Sequence, residues 1–468
     1  MLSPDDIDRA GDMVAAVYSD IEAKMLDRLV AALLSGGPLD SMDMTALVLL
    51  YQTCAPELQK IMDDNRGAVD EEARKAVEHY LRLSDEDDVR RLGGGEPMWP
   101  RQVEATVAGV AEILARDNLQ MMEGAKQAFL QASAEAVTQV NAGALTREQA
   151  LHRAVRRLER EGVPIVTYQN RETGRVTVRN KADVAVRRHV RSQIAQDGAR
   201  MALDRMSALD VALVEVSSHA GARPSHAAWQ GRCYSLKGAA TVDGTFYPDF
   251  YSSTGYGSVS GLLGANCRHS FGPYRHGAPR RYEAEPEHAS GLPGGEVYEL
   301  EQRQRLVERR IREAKRELRG ARQAYDALGT DESLAECLKA KKALARRQES
   351  MRKLVRDANA KARPGTSVLH RRPYREWAGD MPKAQVPKRT RHGEERMRGR
   401  GVTDEQAANA ILEPLRRDPA TVDGQGRRAQ KCIGAEATVV LNPDTREIIT
   451  AYPTKSRLRR KYGADEEA

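Results

Sequence analysis

At 468 residues the chain has room for about three domains, and 40% apolar residues suffice to bury cores, which excludes wholesale disorder. Only 5% aromatic against 30% charged residues favours long, solvent-wetted helices over sandwiches or barrels. The net charge of +7 conceals a split, the first 300 residues being net acidic and the rest strongly basic. That split suggests a polyanion partner for the C-terminal third and protein partners for the front half, or simply well-solvated basic helices.

In chain order, Ser3 is placed to cap a helix that has Pro4 in its first position. Ile7, Met13, Val14, Val17, Tyr18, Ile21 and Met25 then form one apolar stripe. The opening lacks the basic start and apolar core of a secretory signal, and the longest apolar run, near residues 44–51, is far short of a membrane span. A soluble, intracellular or particle-borne protein is expected. Gly36-Gly37-Pro38 stops the first helix; 40–62 and 70–83 predict two more, and the Gly/Pro-rich 91–100 a linker. Another long helix is expected over 101–141. Thr146 and Gln149 form a capping-box signature for the next, which Gly162 ends. Short strands at 165–168 and 175–178 are expected to flank a hairpin loop at 170–174, and helix resumes over 183–209.

Residues 216–295 are Gly/Pro/Ser/Tyr-rich and hold five of the ten histidines and two of the five cysteines, so an irregular compact α+β module is expected there. From 296 to 363 the chain is helical and basic, with 19 Lys/Arg against 10 Asp/Glu over 301–363. Gly329 and Thr330 mark the turn of a helical hairpin. A Pro-spaced linker (364–387, with Pro373, Pro382 and Pro387) leads to a small domain over 388–468. There two helices, the second opened by a Thr403–Gln406 capping box, precede an antiparallel strand pair at 437–441 and 447–451. The expected fold class is multidomain and mainly α: helical regions at 1–90 and 101–215, the irregular module, the basic hairpin, and a C-terminal α+β domain.

The most specific stretch is His219-Ala-Gly-Ala-Arg223-Pro-Ser-His226-Ala-Ala-Trp229-Gln-Gly231, followed by Tyr247-Pro-Asp249-Phe250 and Asn266-Cys267-Arg268-His269-Ser270. With the helical front half and basic hairpin, it resembles the phage minor capsid protein 2 family over residues 1–360. The resemblance implies a head-morphogenesis protein of the virion, at the portal or inner capsid wall, made in the host cytoplasm and able to enter the next host with DNA. Its implied partners are portal and other capsid proteins, with no membrane.

Read from residues alone, His219, His226, Cys267 and His269 offer imidazole and thiolate ligands for a tetrahedral zinc, the alternative being a hydrogen-bonded polar core. A Cys233–Cys267 disulfide is a third option, disfavoured by cytoplasmic assembly. Arg223 and Arg268 are placed to pair with Asp249 or to bind phosphate, and Trp229 to anchor a core. The glycines at 255, 257 and 261 have the wrong spacing for a dinucleotide loop.

The last 80 residues resemble the barnase, EndoU, colicin and RelE-like ribonuclease superfamily, whose phage members are often injected toxins. The matching positions are His392 and Arg396 on the first helix, Thr450 on the last strand, and Tyr452 and Lys455 beyond it. Four residues apart on a helix, His392 and Arg396 share a face. Metal-free RNA cleavage needs a base and an acid near neutrality, which histidine supplies, and donors or cations for the phosphorane charge. No cofactor is required for it. The alternative is a purely structural or DNA-contacting head protein with an inert C-terminal domain, DNA meeting the basic hairpin.

Overall fold

The computed structural model describes residues 1–37, 43–169, 176–379, 389–412, 414–422, 428–443, 445 and 447–462. The expected loop 170–174, Pro38, Asp40, Pro382 and Pro387, and residues 444 and 446 between the expected strands at 437–441 and 447–451, lie outside them.

A capping box opens the chain: Ser3 accepts from the Asp6 N–H, and the Asp6 carboxylate accepts from the Ser3 N–H, starting α1 (Pro4–Arg9). The single first helix that was expected is broken. Gly11 caps α2 (Asp12–Ser35), and a Cβ there would fall 2.4 Å from the Arg187 carbonyl, so the break admits a later helix at close range. Met13, expected in the stripe, is 60% exposed.

The two helices expected over 40–83 are one, α3 (Met44–Leu92), which runs through Gly67. An interior glycine costs about 1 kcal/mol relative to alanine. Continuing the helix instead keeps Leu58, Met62, Val69, Val77 and Leu81 on one buried face, each worth about 1.5–3 kcal/mol. Gly93, at φ 80°, ends it. Then come α4 (Trp99–Asn141), α5 (Arg147–Glu161) behind the Thr146–Gln149 box, the antiparallel pair β1 (Pro164–Gln169) and β2 (Val176–Lys181), and α6 (Ala182–Ala208). These helices enclose the largest core, which includes Tyr18, Leu26, Phe129, Leu158 and Ile194.

The irregular module follows as β3 (Leu213–Val216), α7 (Pro224–Ala227), β4 (Cys233–Ser235), β5 (Ala240–Val242), β6 (Thr245–Tyr247), α8 (Phe250–Thr254) and β7 (Phe271–Tyr274). β3 lies between β4 and β7 in a three-stranded antiparallel sheet. β5 and β6 form a separate hairpin whose two turn residues, Asp243 and Gly244, both have positive φ (46° and 81°), as a tight hairpin turn demands.

The basic hairpin is α9 (Gly294–Leu328) and α10 (Asp331–Asn359), turned at Gly329 and capped by Thr330. Residues 364–379, expected as linker, are packed down. Val368 and Leu369 share a small core with Val297, Leu300 and Ala358, and Arg375 lies 2.9 Å from Asp8. The C-terminal unit contains α11 (Arg391–Gly399), α12 (Asp404–Leu412), β8 (Arg416–Arg417), β9 (Thr421–Val422), β10 (Arg428–Ile433), β11 (Ala437–Leu441), β12 (Ile448–Pro453) and α13 (Ser456–Tyr462). Its antiparallel sheet runs β12-β11-β10-β8, with β9 also on β10. The expected mainly-α, multidomain architecture is what forms. Among the described residues no helix is long and apolar enough to cross a membrane.

The split of charge along the chain has an internal destination. Arg312, Arg316 and Arg319 on one face of α9 are buried and meet Asp183, Glu22 and Glu159 of the acidic front half. Arg319 also reaches Asp27 at 3.1 Å. Part of the positive charge that suggested a polyanion partner therefore holds α9 to the helical body.

Candidate functional site

Local sequence explains how the module turns its histidines inward. Pro224 occupies the first turn of α7, where a missing N–H is harmless, and the helix faces His226 and then Trp229 into the core. Further on, Leu263 and Asn266 adopt positive φ (59° and 58°), an uncommon conformation for non-glycine residues. This tight turn brings Cys267 back against α7. A Cβ on Gly264 would lie 2.3 Å from the Val259 carbonyl, so only glycine fits the turn.

His226, Cys267 and His269 converge there, 2%, 6% and 1% exposed. The two Nδ1 atoms are 3.4 Å apart, and Cys267 Sγ is 3.7 Å from that of His226 and 3.6 Å from that of His269. His226 Nε2 donates to the Ser260 carbonyl at 2.9 Å. His269 Nε2 donates at 3.0 Å to Gln230 Oε1, an oxygen that also accepts the His219 N–H at 3.1 Å. Burial pushes the His226 imidazole down; it pushes His269 down to about 3, with His226, Arg268 and Arg223 adding to the effect. Burial raises the Cys267 thiol.

His219, the fourth residue of the expected set, stands aside. Its ring stacks on His269 with centroids 4.7 Å apart, and its Nδ1 faces Arg268 at 3.3 Å. Trp229 is a core residue, tilted over His226 and edge-on to His269. The expected pairing of Arg223 or Arg268 with Asp249 does not form. Asp249 caps α8 through the Ser252 N–H at 2.8 Å, Arg223 donates to the Ala265 carbonyl, and Arg268 pairs with Glu301 at 2.8 Å. Asp249 is claimed by its own helix start, and Glu301 reaches Arg268 only because α9 packs on the module. None of the five cysteines forms a disulfide. The histidines border a cavity of about 480 Å³ lined by Arg187, Arg191, Arg223, Arg268, Arg305 and Arg375 with Asp8.

Sequence reasoning left Gln230, Ser260 and Glu301 unassigned. Gln230 sits inside the quoted motif beside Trp229, so a signal existed. Ser260 acts through its main-chain carbonyl, which any residue offers, and no local pattern reveals it.

In the C-terminal unit, His392 and Arg396 are exposed on α11, with Arg396 Nε 3.3 Å from His392 Nε2. α11 lies close on β12: a Cβ on Gly393 would fall 2.2 Å from the Ile448 carbonyl, which also accepts from the Thr390 N–H and hydroxyl. Thr450 and Tyr452 are partly buried on β12, opposite Val440 and Thr438 of β11. The Arg400 guanidinium stands 5.6 Å from the Tyr452 ring centre, and Lys455 is exposed just past the strand. Among the described residues no hydrogen bond joins His392 to Thr450, Tyr452 or Lys455.

Residues 2–356 match the family described as Phage minor capsid protein 2. The chain belongs to that family. A structural protein of Lactococcus phage mv4 is 31% identical over 109 residues, which are 23% of this chain and 80% of that protein. No solved structure matches the chain. This minor capsid protein is thus a structural component of the phage particle, with other capsid proteins as partners. The match spans the histidine module and all of the helical hairpin but the last turn of α10, and it stops short of the C-terminal unit.

Proposed function

We propose that this minor capsid protein sits at the portal vertex or on the inner capsid wall, docking through the module of residues 216–295. The supporting observation is a tight hairpin that carries an exposed aromatic side chain next to its turn. The tight Asp243–Gly244 turn holds β5 and β6 together, and Phe246 is 65% exposed on β6, with Tyr251 and Val259 also exposed in the same module. Large exposed apolar groups on a fixed scaffold are what an assembly contact uses. Mass spectrometry of purified particles tests this reading. The wild-type chain is expected in the virion and Phe246→Ser in severalfold lower copy; equal incorporation sinks the docking role of the hairpin.

The C-terminal unit is read as a metal-independent ribonuclease, in which His392 exchanges the proton and Arg396 meets the phosphate. The supporting observation is the contact of these two side chains on an exposed helix seated against β12. The unit shares its core with the basic hairpin, so the full chain is the reagent. Cleavage of host RNA is expected and, since general acid–base catalysis is worth about 10²–10⁴-fold, His392→Ala should lower the rate by at least tenfold. Cleavage equal in both removes His392 from the mechanism, and no cleavage by either favours an inert unit. DNA is a further proposed ligand, at the exposed cations of α10.

A further inference from the structure

His226, Cys267 and His269 come from two places in the chain, α7 and the turn before β7, and present three ligand atoms within 4.8 Å of one another. A tetrahedral zinc with Zn–N of about 2.0–2.1 Å and Zn–S of about 2.3 Å sets two nitrogens about 3.4 Å apart and a nitrogen and a sulfur about 3.6 Å apart. The observed separations are 3.4 Å between the nitrogens and 3.6 and 3.7 Å from nitrogen to sulfur. We propose that these three side chains hold one zinc ion, through His226 Nδ1, His269 Nδ1 and Cys267 Sγ.

The surrounding hydrogen bonds point the same way. A carbonyl can only accept, so the Ser260 carbonyl assigns the His226 proton to Nε2. Gln230 Oε1 does the same for His269, and the His219 N–H donating to that oxygen fixes which way the amide lies. Both imidazoles are therefore bound by outer partners in the manner of metal-ligating histidines. Their Nδ1 lone pairs are left facing each other in a buried site. One thiol proton cannot satisfy two nitrogens, whereas a cation satisfies both and the sulfur. The His269 N–H lies 3.4 Å from Cys267 Sγ, a contact that favours a thiolate.

Three protein ligands leave a fourth position. His226 and His269 border the arginine-lined cavity, which supplies water or an anion to that position. His219, held beside Arg268, lies outside the ligand set, so the site differs from the four-residue set that the sequence suggests. Soft thiolate with two imidazoles suits zinc over magnesium or calcium.

The test is metal analysis of the full chain, purified without chelator and then reconstituted with Zn²⁺ or Co²⁺ at neutral pH. One zinc per chain is expected. The Co²⁺ form should show the intense visible bands of four-coordinate cobalt and a thiolate-to-cobalt band in the near ultraviolet. Cys267→Ser should lose the thiolate band and His269→Gln should bind Co²⁺ at least tenfold more weakly, while His219→Ala keeps one metal per chain. If the wild-type chain takes up no metal, or shows only the weak spectrum of six-coordinate cobalt, the proposal is overturned without recourse to any variant. It is equally overturned if a folded Cys267→Ser chain keeps the near-ultraviolet band.

Discussion

Asp8 sits where arginines from distant parts of the chain meet: Arg191 at 3.4 Å, Arg375 at 2.9 Å and Arg372 at 3.6 Å. Burial alone would raise its carboxyl, but the guanidiniums of Arg375, Arg268, Arg191 and Arg305 outweigh burial and hold it well below the usual carboxylate range. Arg191, also buried, is pushed down to about 10 and remains a cation at neutral pH. Removing the carboxylate strands several buried charges, so Asp8→Asn should cost about 3–5 kcal/mol, read as a lower denaturant midpoint. Folding lowers the Asp8 pKa, so the unfolded chain takes up its proton first. The stability from this site is complete above the unfolded value of about 4 and is lost as pH falls through the lower folded value. Below pH of about 4 the wild-type chain should therefore lose stability more steeply than Asp8→Asn, and parallel acid titrations would refute the coupling. Histidine and cysteine at this scale were legible as types in a cluster. Which three converge was not, because that depends on how α7 and the turn at residues 263–269 pack against each other.

At the scale of elements, the two helices of the basic hairpin divide their work. α9 turns Arg312, Arg316 and Arg319 inward onto carboxylates, and α10 keeps Lys342, Arg346 and Arg347 exposed. If DNA meets this hairpin, it meets α10. Each phosphate contact adds about 0.9 to the slope of log affinity against log salt. Replacing the three α10 cations by glutamine should flatten that slope and weaken binding of double-stranded DNA. Arg316→Gln on α9 should instead lower the thermal midpoint and leave the slope alone. No salt-dependent binding by the wild-type chain would remove DNA from the partners. Helix starts were readable because a cap is a local bargain between a side chain and N–H groups three residues on; Ser3, Thr146, Thr330 and Thr403 all cap as expected. Breaks were less readable. Gly67 leaves α3 intact, whereas Gly11 interrupts the first helix, and only the approach of the Arg187 backbone distinguishes the two.

For the whole molecule, the C-terminal unit and the hairpin share one core. Leu318, Tyr325, Leu334 and Cys337 lie in the same apolar cluster as Met397, Ile411, Val439 and Ile448, and Arg417 donates to the Tyr325 hydroxyl at 3.2 Å. A chain truncated after residue 388 should therefore bind a hydrophobic dye and melt at a lower temperature than the full protein. An unchanged midpoint would show that the unit folds apart from the hairpin. The expectation of a linker over 364–387 came from its prolines, which report local stiffness and say nothing of what a segment rests on. The sequence by itself determined the helical class, the caps, the hairpin and the family motif, all of which arise from neighbours within a few residues. Only tertiary structure decided where the arginines find their carboxylates, which side chains face one another across the histidine module, and how the last domain is seated. Those depend on contacts between residues tens to hundreds of positions apart, and no periodicity records them.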